Sequence, residues 1–113
     1  MKNYKELLDQ IHQNMGKFQE LTPDDMKSFG GFMSVAEKPG KLDAKTKELI
    51  ALGSSITSHC DWCIAYHVNG ALKAGASKDE ILEAGWVAVL MGGGPALMYF
   101  QGVLKALYDF GAQ

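Results

Sequence analysis

Helix start signals recur along this chain, and no strand-like alternation of apolar and polar residues separates them. Each signal is a polar residue suited to capping a helix N-terminus, most often with an acidic residue three positions later. The signals are Thr22 before Pro23 and Asp25, Asp43 alone, Ser58 with Asp61, and Ser77 with Glu80. This recurrence predicts an all-α fold, and the length of 113 residues predicts a single domain over residues 1–113.

Stop signals divide the chain into about six predicted helices, which we expect to form a helical bundle. Gly16 is expected to end the first helix, and Gly75 supplies a C-terminal left-handed position later on. A corner is expected near Thr57, because the preceding residues are poor helix formers. The predicted helices span residues 4–15, 23–32, 44–56, 59–73, 78–91 and 95–110.

The segment from Ile81 to Phe100 is long and apolar enough to be tested as a membrane span, with Glu83 as its only charge. The run 92–95, Gly-Gly-Gly-Pro, would break a spanning helix, and no aromatic or basic anchors flank the segment. We therefore predict two buried helices that meet at a glycine turn. The last helix is apolar nearly all round, so we also predict a homo-oligomer.

The charge pattern excludes several classes of partner. The net charge is −2, and the basic residues are scattered, so neither nucleic acid nor an anionic membrane is an expected partner. No lysine follows Gly92-Gly93-Gly94, which argues against a phosphate loop, and no cofactor is expected. The charged N-terminus lacks an apolar signal region, which favours the cytoplasm.

A cysteine pair carries the clearest chemical signal. Cys60, Cys63 and His67 are separated by three and four residues, so on a helix they share one face. Two sulfurs one turn apart can form a disulfide. With Ser58 as the helix cap, Cys60 falls in the first turn, where the helix dipole favours a thiolate. His67 can serve as a base for Cys63.

Glu48 joins this group through helix geometry. Glu48 and His67 lie at similar chain distances on either side of the expected corner near Ser58. If the two helices fold back on each other, the carboxylate and the imidazole are level. A carboxylate there can fix the imidazole tautomer. The sequence thus predicts a Glu48, His67 and Cys63 chain with Cys60 as the resolving thiol.

The spacing of Glu48, Cys60, Cys63 and His67 is similar to the alkyl hydroperoxidase D motif of the carboxymuconolactone decarboxylase superfamily. The stretch 69–81 also resembles that family, and the resemblance covers roughly residues 40–105. It implies an all-α, AhpD-like fold and an oligomer, often a trimer or hexamer. It also implies a peroxidase or disulfide reductase that takes a hydroperoxide or disulfide substrate and a thiol reductant.

The resemblance also implies roles for the site residues. Cys63 corresponds to the thiol that attacks peroxide, and Cys60 to the resolving thiol. His67 and Glu48 correspond to the proton relay. The related proteins carry a second relay histidine where this chain has Trp62, which shortens the relay. We expect Trp62 to point away from the cysteine face as a core or interface anchor.

Three alternatives stay open. The chain can be a carboxymuconolactone decarboxylase-like enzyme, although the cysteine pair argues against that branch. It can be a non-catalytic oligomeric binding protein. It can hold structural zinc through His59, Cys60, Cys63 and His67, although these helical directions would strain a tetrahedral site, so no metal is expected.

Overall fold

A computed structural model describes residues 3–112, which form five α-helices and no strand. The helices are α1 (Tyr4–Leu21), α2 (Pro23–Glu37), α3 (Ala44–Thr57), α4 (Asp61–Lys73) and α5 (Lys78–Asp109). The all-α prediction is confirmed. The described residues form five helices rather than six because the last two predicted helices run on as one element.

The predicted glycine turn is a kink inside α5. Gly93 leaves helical geometry with φ 71° and ψ −152°, while the residues on either side stay helical. Pro95 is tolerated two residues later because it opens the second half of the helix, where its missing N–H needs no partner.

The first two helices are longer than predicted. Gly16 does not end α1, since one helical glycine costs only about 1 kcal/mol and tertiary packing offsets it. The Thr22 hydroxyl donates to the Phe18 carbonyl at 3.0 Å, so it caps no N–H of α2, and the predicted capping box with Asp25 is absent. Lys38, in extended conformation before Pro39, ends α2 at Glu37.

Helices α3, α4 and α5 build the hydrophobic core. Asp43 and Ser77 cap α3 and α5 as predicted, and Ser77 forms a complete capping box with Glu80. The largest fully buried side chains are Leu52, Ile56, Ile64, Val68, Ile81 and Val103. Helix α1 adds Tyr4 and Leu8 to the buried residues, whereas α2 adds none. Helix α2 therefore lies on the outside of the bundle.

Tyr4 links the N-terminus of α1 to both α4 and α5 through hydrogen bonds. Its backbone N–H donates to Asp109 Oδ2 at 2.8 Å, and its hydroxyl donates to Asp61 Oδ1 at 2.9 Å. Gly102 makes room for the ring, since a Cβ atom there would lie 3.1 Å from Tyr4 Cζ. Burial, followed by the hydrogen bond to Asp61, raises the pKa of Tyr4 well above its ordinary value.

Helix α5 is long and apolar enough to cross a membrane by length and composition alone. Only 22% of its most apolar window is buried within the chain. The same test is passed by the core helices of water-soluble proteins, and α5 packs its inner face against α3 and α4. The outer face carries exposed apolar side chains at Trp86, Val87, Leu90 and Met91.

Candidate active site

The corner between α3 and α4 places the cysteine pair. The N–H of Ser58 donates to the Ser54 carbonyl, and the N–H of Cys60 donates to the Ser55 carbonyl at 3.1 Å. Between them, His59 takes a left-handed conformation with φ 56°, and its ring stacks on Tyr99 at 4.8 Å. Because these bonds hold residues 58–60 to the end of α3, α4 starts later than predicted.

The N-cap of α4 is Cys60, so the prediction that Ser58 caps this helix is wrong. The Cys60 Sγ accepts the N–H of Cys63 at 3.2 Å, and the two sulfurs are joined in a disulfide across a Cα–Cα distance of 5.2 Å. Cys60 therefore lies one position before the first turn in which it was predicted. At the positive end of the helix dipole, a reduced sulfur is favoured as thiolate.

Glu48 and His67 meet across the α3–α4 pair, as predicted from the corner. Glu48 Oε2 lies 2.9 Å from His67 Nδ1, and the two side chains are only 15% and 18% exposed. A carboxylate on Nδ1 favours the tautomer with its proton on that nitrogen. Nε2 is then the nitrogen that can take up a proton from a neighbouring group.

Gly70 makes this contact possible, and the sequence analysis did not single it out. A Cβ atom at position 70 would lie 2.7 Å from Glu48 Cδ, which is closer than real contacts allow. Gly70 lies three residues after His67 on α4, so the carboxylate rests over bare backbone beside the imidazole. The sequence feature that could have indicated Gly70 is its position on α4, one turn beyond His67 on the same face.

A groove of about 380 Å³ opens beside the redox pair. Cys63 and His67 both line it, whereas Cys60 does not. Its wall is mostly apolar and comes from α1 and α2 as well as α4. The other lining residues are Ile11, Met15, Phe29, Met33, Glu37, Trp62 and Tyr66.

Two aromatic residues line the groove beside Cys63 and His67. Trp62 is 46% exposed and lines the groove with Cys63, so it is not an anchor in the core, and its role as an interface anchor stays a prediction. Tyr66 contacts the His67 ring edge-on at 5.1 Å between ring centroids. Burial, followed by the charges of Glu37 and Glu48, raises the pKa of Tyr66.

The four ligands of the zinc alternative are engaged elsewhere. Cys60 and Cys63 are bonded to each other, His59 stacks on Tyr99, and His67 pairs with Glu48. Within residues 3–112, no group of three or more His, Cys, Asp or Glu side chains is arranged to hold a metal ion.

Residues 23–106 match the sequence profile of the carboxymuconolactone decarboxylase family. The chain belongs to this family. The carboxymuconolactone decarboxylase family includes enzymes, among them peroxidases of the alkyl hydroperoxidase D type. The resemblance that the motif spacing indicated is thereby confirmed.

Similar proteins cover most of the chain. An uncharacterized protein of Cupriavidus necator is 35% identical over 108 residues, covering 96% of this chain and 93% of the relative. An uncharacterized protein from the cox locus of Paracoccus denitrificans is 39% identical over 80 residues, covering 71% of this chain and 72% of the relative.

Crystal structures of other family members share the fold. A carboxymuconolactone decarboxylase family protein of Legionella pneumophila, solved in its apo form, superposes with a TM-score of 0.90 at 37% identity, covering 95% of this chain and 96% of that one. A family member of Thermotoga maritima superposes with a TM-score of 0.83 at 31% identity, covering 91% and 88%. For the Thermotoga protein, a role in the antioxidative response has been suggested.

Proposed function

We propose that this protein is a thiol-dependent peroxidase and disulfide oxidoreductase that works through Cys63 and Cys60. One arrangement of three side chains carries the proposal. Cys63 and His67 line the same groove, and Glu48 bonds Nδ1 of the His67 imidazole. The family membership and the antioxidative role suggested for the Thermotoga relative support it.

In the oxidative step, the Cys63 thiolate attacks the terminal oxygen of a hydroperoxide. The O–O bond breaks, Cys63 becomes a sulfenic acid, and the alcohol leaves after taking up a proton. The Cys60 sulfur then attacks the sulfenic sulfur, forming the S–S bond and releasing water. Two thiols and one hydroperoxide thus give one disulfide, one alcohol and one water.

The roles of the two cysteines follow from their positions. Cys63 lines the groove and is the thiol that a substrate can reach, so it is assigned the attacking role. Cys60 lies at the helix cap within bonding distance of Cys63, which suits a resolving thiol. His67 Nε2 is assigned the proton transfer, and Glu48 positions the ring.

A thiol reductant must complete the cycle. A dithiol reductant attacks the Cys60–Cys63 disulfide, leaves as its own disulfide, and returns both cysteines to thiols. The chemistry requires no metal or organic cofactor. We place the cycle in the cytoplasm, where such reductants are abundant.

We also propose that copies of the chain assemble, as a trimer or hexamer, through the outer face of α5. Leu90 and Met91 are 79% and 78% exposed on this face, which costs free energy unless a partner covers it. Leu90→Glu should lower the mass found by sedimentation velocity, whereas Leu21→Glu, at a position 72% exposed on α1, should leave it unchanged.

The redox proposal is tested by mass spectrometry on reduced protein treated with one equivalent of cumene hydroperoxide. Wild type should lose the mass of two hydrogens as the disulfide forms. Cys60→Ser should instead accumulate a sulfenic acid that dimedone traps on Cys63, and Cys63→Ser should give no sulfenic adduct. Unchanged thiol counts in folded wild type would refute the proposal.

A further inference from the structure

We propose that Glu37 makes the groove selective by charge, so that the substrate is an apolar molecule that is uncharged or cationic, not anionic. This inference rests on the proposed function, because it assigns a substrate class to the groove in which Cys63 reacts. Glu37 is the last residue of α2 and lines the groove together with Cys63 and His67.

The wall of the groove is apolar on the side opposite α4. Ile11 and Met15 come from α1, and Phe29 and Met33 come from α2. Such a wall favours the hydrocarbon part of a substrate over water, by roughly 25 cal/mol for each Å² of apolar surface removed from water. Trp62 and Tyr66 add aromatic surface next to Cys63.

The ionic groups at the groove are predominantly negative. Among residues 3–112, Glu37 is the one carboxylate that lines the groove, and no lysine lines it; the sequence contains no arginine. Glu48 adds a second carboxylate behind His67. Tyr66 also lines the groove, and after burial the charges of Glu37 and Glu48 raise its pKa.

No cationic side chain pairs with Glu37, since among residues 3–112 Glu37 forms no ion pair. Lys47 reaches the same end of α2, but its Nζ donates to the carbonyl oxygens of Ala36 and Lys38 at 3.0 and 2.6 Å. His12 faces Tyr66 from α1 at 6.5 Å between ring centroids.

A fixed carboxylate in a half-buried groove repels an approaching anion and leaves a neutral molecule unaffected. At physiological salt, one such charge within a Debye length should slow an anionic reagent by about three- to tenfold relative to a neutral one. The inference therefore disfavours glutathione disulfide and ionised fatty-acid hydroperoxides, and it favours uncharged organic hydroperoxides or disulfides.

The test uses three thiosulfonates that differ in charge: methyl methanethiosulfonate, its anionic sulfonatoethyl analogue and its cationic trimethylammonioethyl analogue. Each transfers its thioalkyl group to the Cys63 sulfur and releases methanesulfinate. Rates are measured at pH 7.5 on reduced Cys60→Ser protein, which leaves Cys63 as the one thiol. Dividing each rate by that for 2-mercaptoethanol removes the intrinsic reactivity of the reagent.

We expect the normalised rate of the anionic reagent to be about three- to tenfold below that of the neutral one. Adding Glu37→Gln should remove most of this difference, and adding Glu37→Lys should reverse it. The matched control is Glu83→Gln, which changes the net charge equally at an exposed position of α5 outside the groove. In the Cys60→Ser protein itself, 1 M salt should shrink the difference, and this readout needs no substitution of Glu37.

Equal normalised rates for all three reagents would overturn the charge selection while leaving the redox function intact. An effect of Glu83→Gln as large as that of Glu37→Gln would also overturn it, because net charge would then explain the difference. Failure of the proposed function has a different signature: peroxide would leave the thiols of wild type unoxidised, while the thiosulfonate ratios would still report the charge at Cys63.

Discussion

The carboxylate of Glu48 rests against the bare backbone of Gly70, where a Cβ atom would come within 2.7 Å of Glu48 Cδ. The same carboxylate bonds Nδ1 of His67 at 2.9 Å. The missing side chain at position 70 thus allows an acidic residue of α3 to reach an imidazole of α4.

Gly70→Ala should separate Glu48 from His67 without unfolding the protein. Alanine gains about 1 kcal/mol of helix propensity, but the loss of a charge-assisted hydrogen bond costs about 1.5–3 kcal/mol. We expect a net destabilisation of about 1 kcal/mol by urea unfolding. We also expect Cys63 oxidation by peroxide to slow about tenfold as base catalysis weakens.

Gly53→Ala is the matched control for that substitution. A Cβ atom at Gly53 would meet nothing within 4 Å, and the residue lies in the same helix as Glu48. This variant should keep the wild-type oxidation rate and gain up to about 1 kcal/mol of stability. Equal oxidation rates for the two alanine variants would contradict the role given to Gly70.

Glu48→Gln should preserve the shape of the contact and remove its charge. Without the carboxylate, the tautomer of His67 with its proton on Nδ1 is held less firmly, so Nε2 is less available to take up the Cys63 proton. The rate of sulfenic acid formation should fall about tenfold, and His67→Asn should lower it by about 100-fold. Alkylation with iodoacetamide across pH 5–10 should show the thiol reacting only at higher pH in Glu48→Gln. An unshifted pH profile would mean that Glu48 has only a structural role.

Cys60 has a capping role that serine can take over and alanine cannot. In the disulfide form, the Cys60 sulfur accepts the N–H of Cys63, as a serine hydroxyl does at many helix N-termini, and we expect the reduced sulfur to keep this bond. Both Cys60→Ser and Cys60→Ala abolish the disulfide, but Cys60→Ala should be about 1 kcal/mol less stable to urea than Cys60→Ser. Equal stabilities would show that the cap contributes nothing to α4.

Tyr4 should make stability fall at alkaline pH. Burial and the hydrogen bond to Asp61 raise its pKa above the ordinary value of 10.0, so the unfolded chain loses this proton first. The contribution of the neutral hydroxyl is fully present below pH 10 and decreases above it, by up to about 1.4 kcal/mol per pH unit.

The measurement for Tyr4 is the difference in free energy of unfolding between wild type and Tyr4→Phe. At pH 8, wild type should be about 1 kcal/mol more stable because of the hydrogen bond. The difference should shrink and change sign between pH 10 and 11.5. Tyr66 also has a raised pKa, but it is present in both proteins, so its effect cancels in the difference in free energy of unfolding. Parallel pH curves for the two proteins would therefore contradict the role of Tyr4.

The parts of the fold that local chemistry determines were predictable from the sequence. Asp43 and Ser77 cap their helices through bonds to residues three positions away, so their neighbours were sufficient evidence. Ser58 is likewise followed by an acidic residue three positions later, yet the N-cap of α4 is Cys60. The left-handed turn at His59 is accompanied by stacking on Tyr99, forty positions along the chain, and no local pattern contains that contact.

The candidate site was likewise predictable only where helix geometry determines it. The Glu48–His67 contact followed from two helices of similar length folding back at one corner, with support from the motif resemblance. Gly70 and Glu37 were missed because their importance arises only when helices pack: one gives room to a neighbour, and the other faces a groove closed by three helices. The place of Trp62 on the groove was missed for the same reason, since that groove cannot be inferred from helical spacing alone.

Helix α2 provides wall residues to the groove while burying none of its own side chains in the core. Glu48, Cys63 and His67 lie on α3 and α4, whereas part of the groove wall comes from α2, on the outside of the bundle. Related proteins can therefore diversify in α2 at little cost to folding and keep one redox centre for many substrates. For an engineer, α2 is the part to exchange when the goal is a new specificity with the old reaction.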